Sequence, residues 1–120
     1  MSGRSTLDGA LTLSANQHTW TDQLLGALHR RVALAGAVHH SVLHLVTGRV
    51  DVAVGAAHAY EDLAPLPVLV SEAGGVVTDL AGQPVPGAVG TMLAANPVLH
   101  AEALALVADR PAVRASKALP

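Results

Sequence analysis

The sequence predicts an α/β fold: a layered sheet flanked by helices in a single small domain. Three observations carry this. Short apolar runs alternate with helix-length amphipathic stretches, in the order β-α-β-α-β-α-β-β-α. Glycine, proline and capping residues separate them at nearly every boundary. The 120 residues are also 51% apolar, enough to cover both sides of a small sheet.

The elements follow in order. Residues 10–14 alternate apolar and polar, as a short strand does. Thr19 or Thr21 can cap a helix beginning near Trp20, in which Leu24, Leu25 and Leu28 share a face. His29, Arg30 and Arg31 suit the negative C-terminal end of that helix. Residues 32–35 read as a buried strand broken by Gly36. Residues 37–47 read as a second helix with Val38, Ser41, Val42, Leu45 and Val46 on one side, stopped by Gly48. Residues 50–54 are β-branched and form a strand, with Asp51 near its start. A third helix opens with Asp62 as N-cap and runs to about Ala73. Pro65 falls in its first turn, and Pro67 kinks or delays it. Gly74 and Gly75 end it. Residues 76–80 and 90–94 are strands joined through a turn containing Gly82 and Pro84. Asn96 caps a last helix with Pro97 at its first position and Leu99, Ala103, Leu106 and Val107 on its apolar face. The expected domain covers residues 1–109, with 1–7 and 110–120 as flexible ends.

The composition excludes several functions. The apolar set is 23 Ala, 18 Leu and 16 Val, with no Ile or Phe, and the aromatics are Trp20 and Tyr60 alone. So few aromatics leave no stacking platform for single-stranded nucleic acid. Seven scattered Lys and Arg in a chain of net charge −2 make no basic face for a duplex. With no cysteine, disulfide scaffolds, thiolate zinc sites and cysteine nucleophiles are ruled out. Residues 1–13 carry no signal-peptide pattern, and no apolar run is long enough to span a membrane. A soluble cytoplasmic protein is expected.

Candidate chemistry rests on few residues. Asp62 follows a loop of small residues, where a carboxylate can ligate a hard cation or simply cap a helix. Neighbouring Glu61 adds charge but points elsewhere. His40 and His44 are spaced i, i+4 and can share a helix face for a transition metal or form a plain polar face. His39 and His58 have no assigned role. In Glu72-Ala73-Gly74-Gly75, the glycines leave a helix and enter a strand bearing Thr78 and Asp79, which reads as a helix stop rather than a phosphate cradle. Ser14, Ser41 and Ser71 sit in no nucleophile elbow, and no Walker or dinucleotide loop occurs.

One longer pattern is more specific. Asp62-Leu63-Ala64-Pro65, followed by Val68-Leu69-Val70-Ser71-Glu72-Ala73-Gly74-Gly75-Val76-Val77-Thr78-Asp79-Leu80, resembles the C-terminal signature of the inositol monophosphatase family, which includes histidinol-phosphate phosphatases. Thr47-Gly48-Arg49-Val50-Asp51 is similar to that family's Ala-Gly-x-x-Asp segment, and Met92-Leu93-Ala94-Ala95-Asn96-Pro97 to its final strand and helix start. Residues 8–14 resemble the hairpin strand preceding this half. The likeness spans about residues 8–109.

The resemblance implies the C-terminal half of a Mg²⁺-dependent phosphomonoesterase, with Asp62 as a Mg²⁺ ligand. The family's remaining ligands, a Glu-Glu pair and an Asp-Pro-x-Asp-Gly-Thr motif, have no counterpart in this sequence. Gly36-Ala37 stands where the family has Gly-Ser or Gly-Thr, Gly55 where it often has a substrate-binding Glu, and Glu61 where it has Trp. The resemblance therefore implies a chain inactive by itself, acting as a homo-oligomer or with a separate chain that supplies the missing half. A small phosphomonoester is the implied substrate. The alternative is a non-catalytic oligomerisation or partner-binding domain built on the same fold.

Overall fold

The computed structural model describes residues 1–15, 20–36, 41–55, 63–85 and 90–108. The order of the described elements matches the expectation: β1 (Leu11–Ala15), α1 (Asp22–Arg31), β2 (Ala33–Gly36), α2 (Ser41–Val46), β3 (Val52–Gly55), α3 (Leu66–Glu72), β4 (Val76–Thr78), β5 (Met92–Ala95) and α4 (Pro97–Val107). The five strands form one mixed sheet in the order β2-β1-β3-β5-β4. β2, β1 and β3 run parallel, while β5 is antiparallel to both β3 and β4.

Helices cover both faces, so β3 and β5 are apolar at every position rather than at alternate ones, while β1 buries Thr12 and Ser14 among its apolar residues. All four residues of β3 and all four of β5 are buried. Their side chains divide by parity. Val52, Val54, Leu93 and Ala95 join Trp20, Leu24, Leu28, Leu99 and Ala103 beneath α1 and α4. Ala53, Met92 and Ala94 join Val42, Leu45, Leu66 and Val70 beneath α2 and α3.

Local chemistry sets the helix ends. Of the two proposed caps of α1, Thr21 does the work: its side chain accepts a hydrogen bond from Leu24 N at 3.2 Å. Asn96 does the same for α4, accepting from Leu99 N at 2.9 Å ahead of Pro97. At the stop of α3, Gly74 has φ +85° and Gly75 N donates to Val70 O at 2.9 Å.

Four expectations need correction. β2 is an edge strand with Ala33, Ala35 and Gly36 exposed, not a buried one. An apolar run reads alike at the edge and the centre of a sheet, and only strand order separates them. β1 is flanked by parallel neighbours on both sides and so is no hairpin strand. The third helix is not continuous to about Ala73: Leu63 is helical, a turn follows, and α3 runs from Leu66 to Glu72, while Asp62 lies outside the described residues. Ala64 and Pro65 form a turn, Pro65 takes the N-cap position without a side-chain hydrogen bond, and Pro67 lies in the first turn. Proline is tolerated in a helix's first turn, so Pro67 sits at the start of α3 and does not kink it.

The fourth concerns residues 1–7, which are fastened rather than loose. The Met1 amino group donates to Val46 O at 3.0 Å, and Asn96 Nδ2 donates to Ser2 O and Arg4 O at 3.1 and 2.9 Å. Leu7 is buried in the α1–α4 core, and its N–H donates to Glu102 Oε2 at 3.0 Å. Residues 110–120 lie outside the described residues.

Candidate functional site

The parallel strands define two ends of the molecule. At the base, where β1 and β3 begin, Asp51 is the organising residue. Its Oδ2 accepts from Leu11 N at 2.8 Å and its Oδ1 from the Ser2 hydroxyl at 2.5 Å. It thus ties two strands and the N-terminal segment together.

The opposite rim is where the C-terminal ends of β1, β2 and β3 meet. Strand register puts Ser14 level with Gly36 and Val54, and Ala15 level with Gly55, which in turn opposes Met92. In open α/β sheets this is the end at which ligands bind. α1 begins at the same end, with Asp22 in its first turn. The resemblance marks Gly55, and the residue just after Gly36, as altered from the family pattern, and Gly36 and Gly55 end separate strands. The register brings them to one rim, on either side of Ser14.

Several candidates belong to segments that follow this rim in sequence. Asp62, Glu61 and His58 come after Gly55, and Ala37, His39 and His40 after Gly36. All six lie outside the described residues, as does the proposed His40–His44 pairing. His44 itself is half-buried in α2. Ser14 is buried at the end of β1, and Ser71 is exposed on α3, away from the rim strands. Ser41 opens α2.

The Gly74-Gly75 segment is a helix stop. Asp79 just beyond β4 is buried, and its Oδ1 accepts from Ala81 N and Gln83 N, both at 2.9 Å. That carboxylate organises the turn towards β5. Glu72 is exposed at the end of α3.

His100 carries no signal in the sequence beyond being a polar residue within an apolar helix. It is buried on α4, and Nε2 lies 2.9 Å from Thr78 Oγ1 on β4. Burial pushes its pKa below the ordinary histidine value.

The described carboxylates can be tested against the Mg²⁺ that the resemblance implies. A hard cation needs several oxygens converging on one point. Asp51 and Asp79 hold backbone N–H groups, Asp8 pairs with Arg31 at 2.6 Å, and Glu102 holds Leu7 N. Among the described residues, no three Asp, Glu or His side chains group closely enough to hold a metal ion. The described donor set therefore does not fit a Mg²⁺ cluster on its own.

Comparison with known proteins decides the lineage. The sequence model of the inositol monophosphatase family matches residues 5–112. The chain belongs to the inositol monophosphatase family. Solved structures agree on the fold. The extragenic suppressor protein SuhB from Bartonella henselae superposes with a TM-score of 0.78 at 19% identity, covering 91% of this chain and 45% of that one. An inositol monophosphatase from Zymomonas mobilis gives 0.72 at 25% identity, covering 89% and 46%. An IMPase/NADP phosphatase complexed with Mg²⁺ and phosphate gives 0.74 at 14% identity, covering 96% and 46%. The chain thus spans less than half the length of these structural relatives. No curated protein sequence matches it. Among the described residues, no helix is long and apolar enough to cross a membrane.

Proposed function

We propose that this chain is the C-terminal half of a Mg²⁺-dependent phosphomonoesterase of the inositol monophosphatase type, inactive by itself because the family's remaining carboxylates are not among these 120 residues. The observation that carries this reading is the family match over residues 5–112 in a chain spanning only 45–46% of these relatives. The Mg²⁺ and phosphate in one relative support the metal and the substrate class. Asp62 is this chain's contribution to the metal, and the rim formed by Ser14, Gly36 and Gly55 is the side from which substrate approaches. When bound, Mg²⁺ would polarise the phosphoryl oxygens and lower the pKa of a water.

A cytoplasmic setting suits a chain with no cysteine. The remaining carboxylates come from another copy of this chain or from a missing half outside these residues. The edge strand at Ala33, Ala35 and Gly36, exposed among the described residues, and the exposed Leu11, Leu43, Val68 and Leu69 favour association of some kind.

A second reading is a non-catalytic binding or assembly domain. Ala37 and Gly55 favour it, because the family's hydroxyl and carboxylate are missing at those positions. The discriminating experiment is turnover of a phosphomonoester panel by the purified chain, with Mg²⁺ or with EDTA, beside Asp62→Asn. Mg²⁺-dependent turnover lost in the variant supports a site rebuilt between copies. No turnover, together with a monomeric sedimentation profile at high concentration, removes self-completion of the site. The separate half and the assembly domain then remain.

A further inference from the structure

Between the N-terminal segment and β1 the chain turns at Asp8-Gly9, a dipeptide with a chemistry of its own. Glycine stands there because its φ is +75°, which residues with a side chain rarely adopt. The chain is fastened on both sides of this turn. Leu7 is buried and its N–H donates to Glu102 Oε2 at 3.0 Å, while Leu11 N donates to Asp51 Oδ2 at 2.8 Å. The turn itself closes through Ala10 N to Leu7 O at 2.9 Å and Gly9 N to Arg31 O at 2.7 Å. The Asp8 side chain is 71% exposed, and its Oδ1 accepts from Arg31 Nε at 2.6 Å. Arg31 thus holds the nitrogen of Gly9 through its main chain and the carboxylate of Asp8 through its side chain.

Those two groups are the ones that react when an aspartate precedes a glycine. The main-chain nitrogen has no side chain beside it to block its approach to the neighbouring carboxyl carbon. The carboxylate takes a proton from solvent, and the Gly9 nitrogen attacks Asp8 Cγ. The carboxyl hydroxyl and the N–H proton leave as water, and a five-membered succinimide closes. Water then opens the ring at either carbonyl. Opening at the former main-chain carbonyl leaves the chain running through the side-chain carbon, as isoaspartate. One water is lost and one regained, and nothing is oxidised or reduced. The attack requires the Gly9 N–H to leave Arg31 O and the Asp8 carboxylate to leave the guanidinium.

We propose that Asp8-Gly9 is a site of isoaspartate formation that Arg31 keeps closed while the N-terminal segment stays fastened. The isomerised link adds one carbon to the main chain between Leu7 and Leu11, both of which are anchored through their N–H groups, so one anchorage must give. Leu11 is followed by the ladders to β2 and β3, whereas Leu7 depends on Glu102 and on the turn. Leu7 is therefore the residue that lets go. Glu102 lies 3.8 Å from Arg31, so the same loss loosens the join between α1 and α4. A passing detachment of the N-terminal segment is recorded in this way as a covalent change at the base of the sheet.

Ageing the full chain at neutral pH, folded and in urea, tests this. Isoaspartate is read at residue 8 by electron-transfer mass spectrometry of the tryptic peptide covering residues 5–30. The expected result is conversion in the unfolded chain, with the folded chain slower by about tenfold or more. Arg31→Ala, checked by circular dichroism to be folded, should convert faster than the folded parent, by up to about fivefold for an exposed ion pair. Amide exchange of the isomerised chain should show Leu7 losing its protection while β1 and β3 keep theirs. Asp8→Glu retains a carboxylate but needs a less favourable six-membered ring, so on ageing it should keep Leu7 protected. Equal conversion in folded and unfolded chain would overturn the proposal, as would no conversion in the unfolded chain. So would Arg31→Ala converting no faster than the parent, or the isomerised chain keeping Leu7 protected. Comparing the folded and unfolded parent needs no variant, so a poorly folding substitution leaves the test intact.

Discussion

The base and the rim of the sheet are built from the same strands, yet they are furnished very differently. At the base, polar side chains bind the fold together: Asp51 joins β1, β3 and Ser2, while Asn96 caps α4 and holds the N-terminal segment. At the rim, the strand ends carry Ser14, Ala15, Gly36 and Gly55, and by the resemblance Gly55 stands where the family often has a carboxylate. Folding needs the groups at the base, whereas phosphate chemistry needs groups at the rim. Among the described residues this chain has the first set and no cluster of carboxylates for the second.

That contrast can be broken or sharpened by substitution. The largest loss is expected from Trp20→Ala. Trp20 is fully buried against the α1–α4 core, and removing a buried aromatic costs about 3–5 kcal/mol. Chemical denaturation would show it as a lower midpoint. Asp51→Ala comes next, at about 1–3 kcal/mol, because Leu11 N and the Ser2 hydroxyl both lose their acceptor. Gly75→Ala should cost a similar 1–3 kcal/mol or so. A methyl there would overlap Met1 Cε and Val70 Cγ1 and press on Ala95 O, so the packing between α3 and β5 must open. Thr21→Ala removes a helix cap at about 1 kcal/mol, with the circular dichroism melting curve as the readout. The smallest effect belongs to Asp62→Asn. If the rim carries chemistry rather than stability, its denaturation midpoint should stay within about 0.5 kcal/mol of the parent. A base-sized loss there would erase the distinction between the two ends.

Much of the fold is legible because its boundaries are chemical. Thr21, Gly48, Gly74, Gly82 and Asn96 each act locally, through a side-chain oxygen or a positive φ that glycine tolerates, and the sequence names them directly. Strand order is not local. Nothing in residues 32–36 distinguishes an edge from a centre, so β2 reads as buried until the sheet is assembled. The break at Ala64–Pro65 follows from Pro65 and Pro67, since proline is at home in the first turn of a helix and not in its interior.

The rim is less legible than the base. Ser14, Gly36 and Gly55 are far apart in the chain, and only the parallel register sets them side by side. His100 is hidden for a related reason: its partner Thr78 is reached through the packing of α4 on β4 and not through any sequence spacing. The candidate metal ligand Asp62 is legible only through the family signature around it.

The central claim is that this chain holds the family's fold without a self-sufficient metal site. Calorimetric titration with Mg²⁺ of the purified chain, at a concentration where sedimentation shows it to be monomeric, tests it most directly, with Asp62→Asn measured in parallel. The account predicts no saturable binding in the micromolar range for either protein, since one carboxylate cannot surround a hard cation. Saturable micromolar binding that disappears in Asp62→Asn would contradict it, and would mean that this chain assembles a complete site on its own.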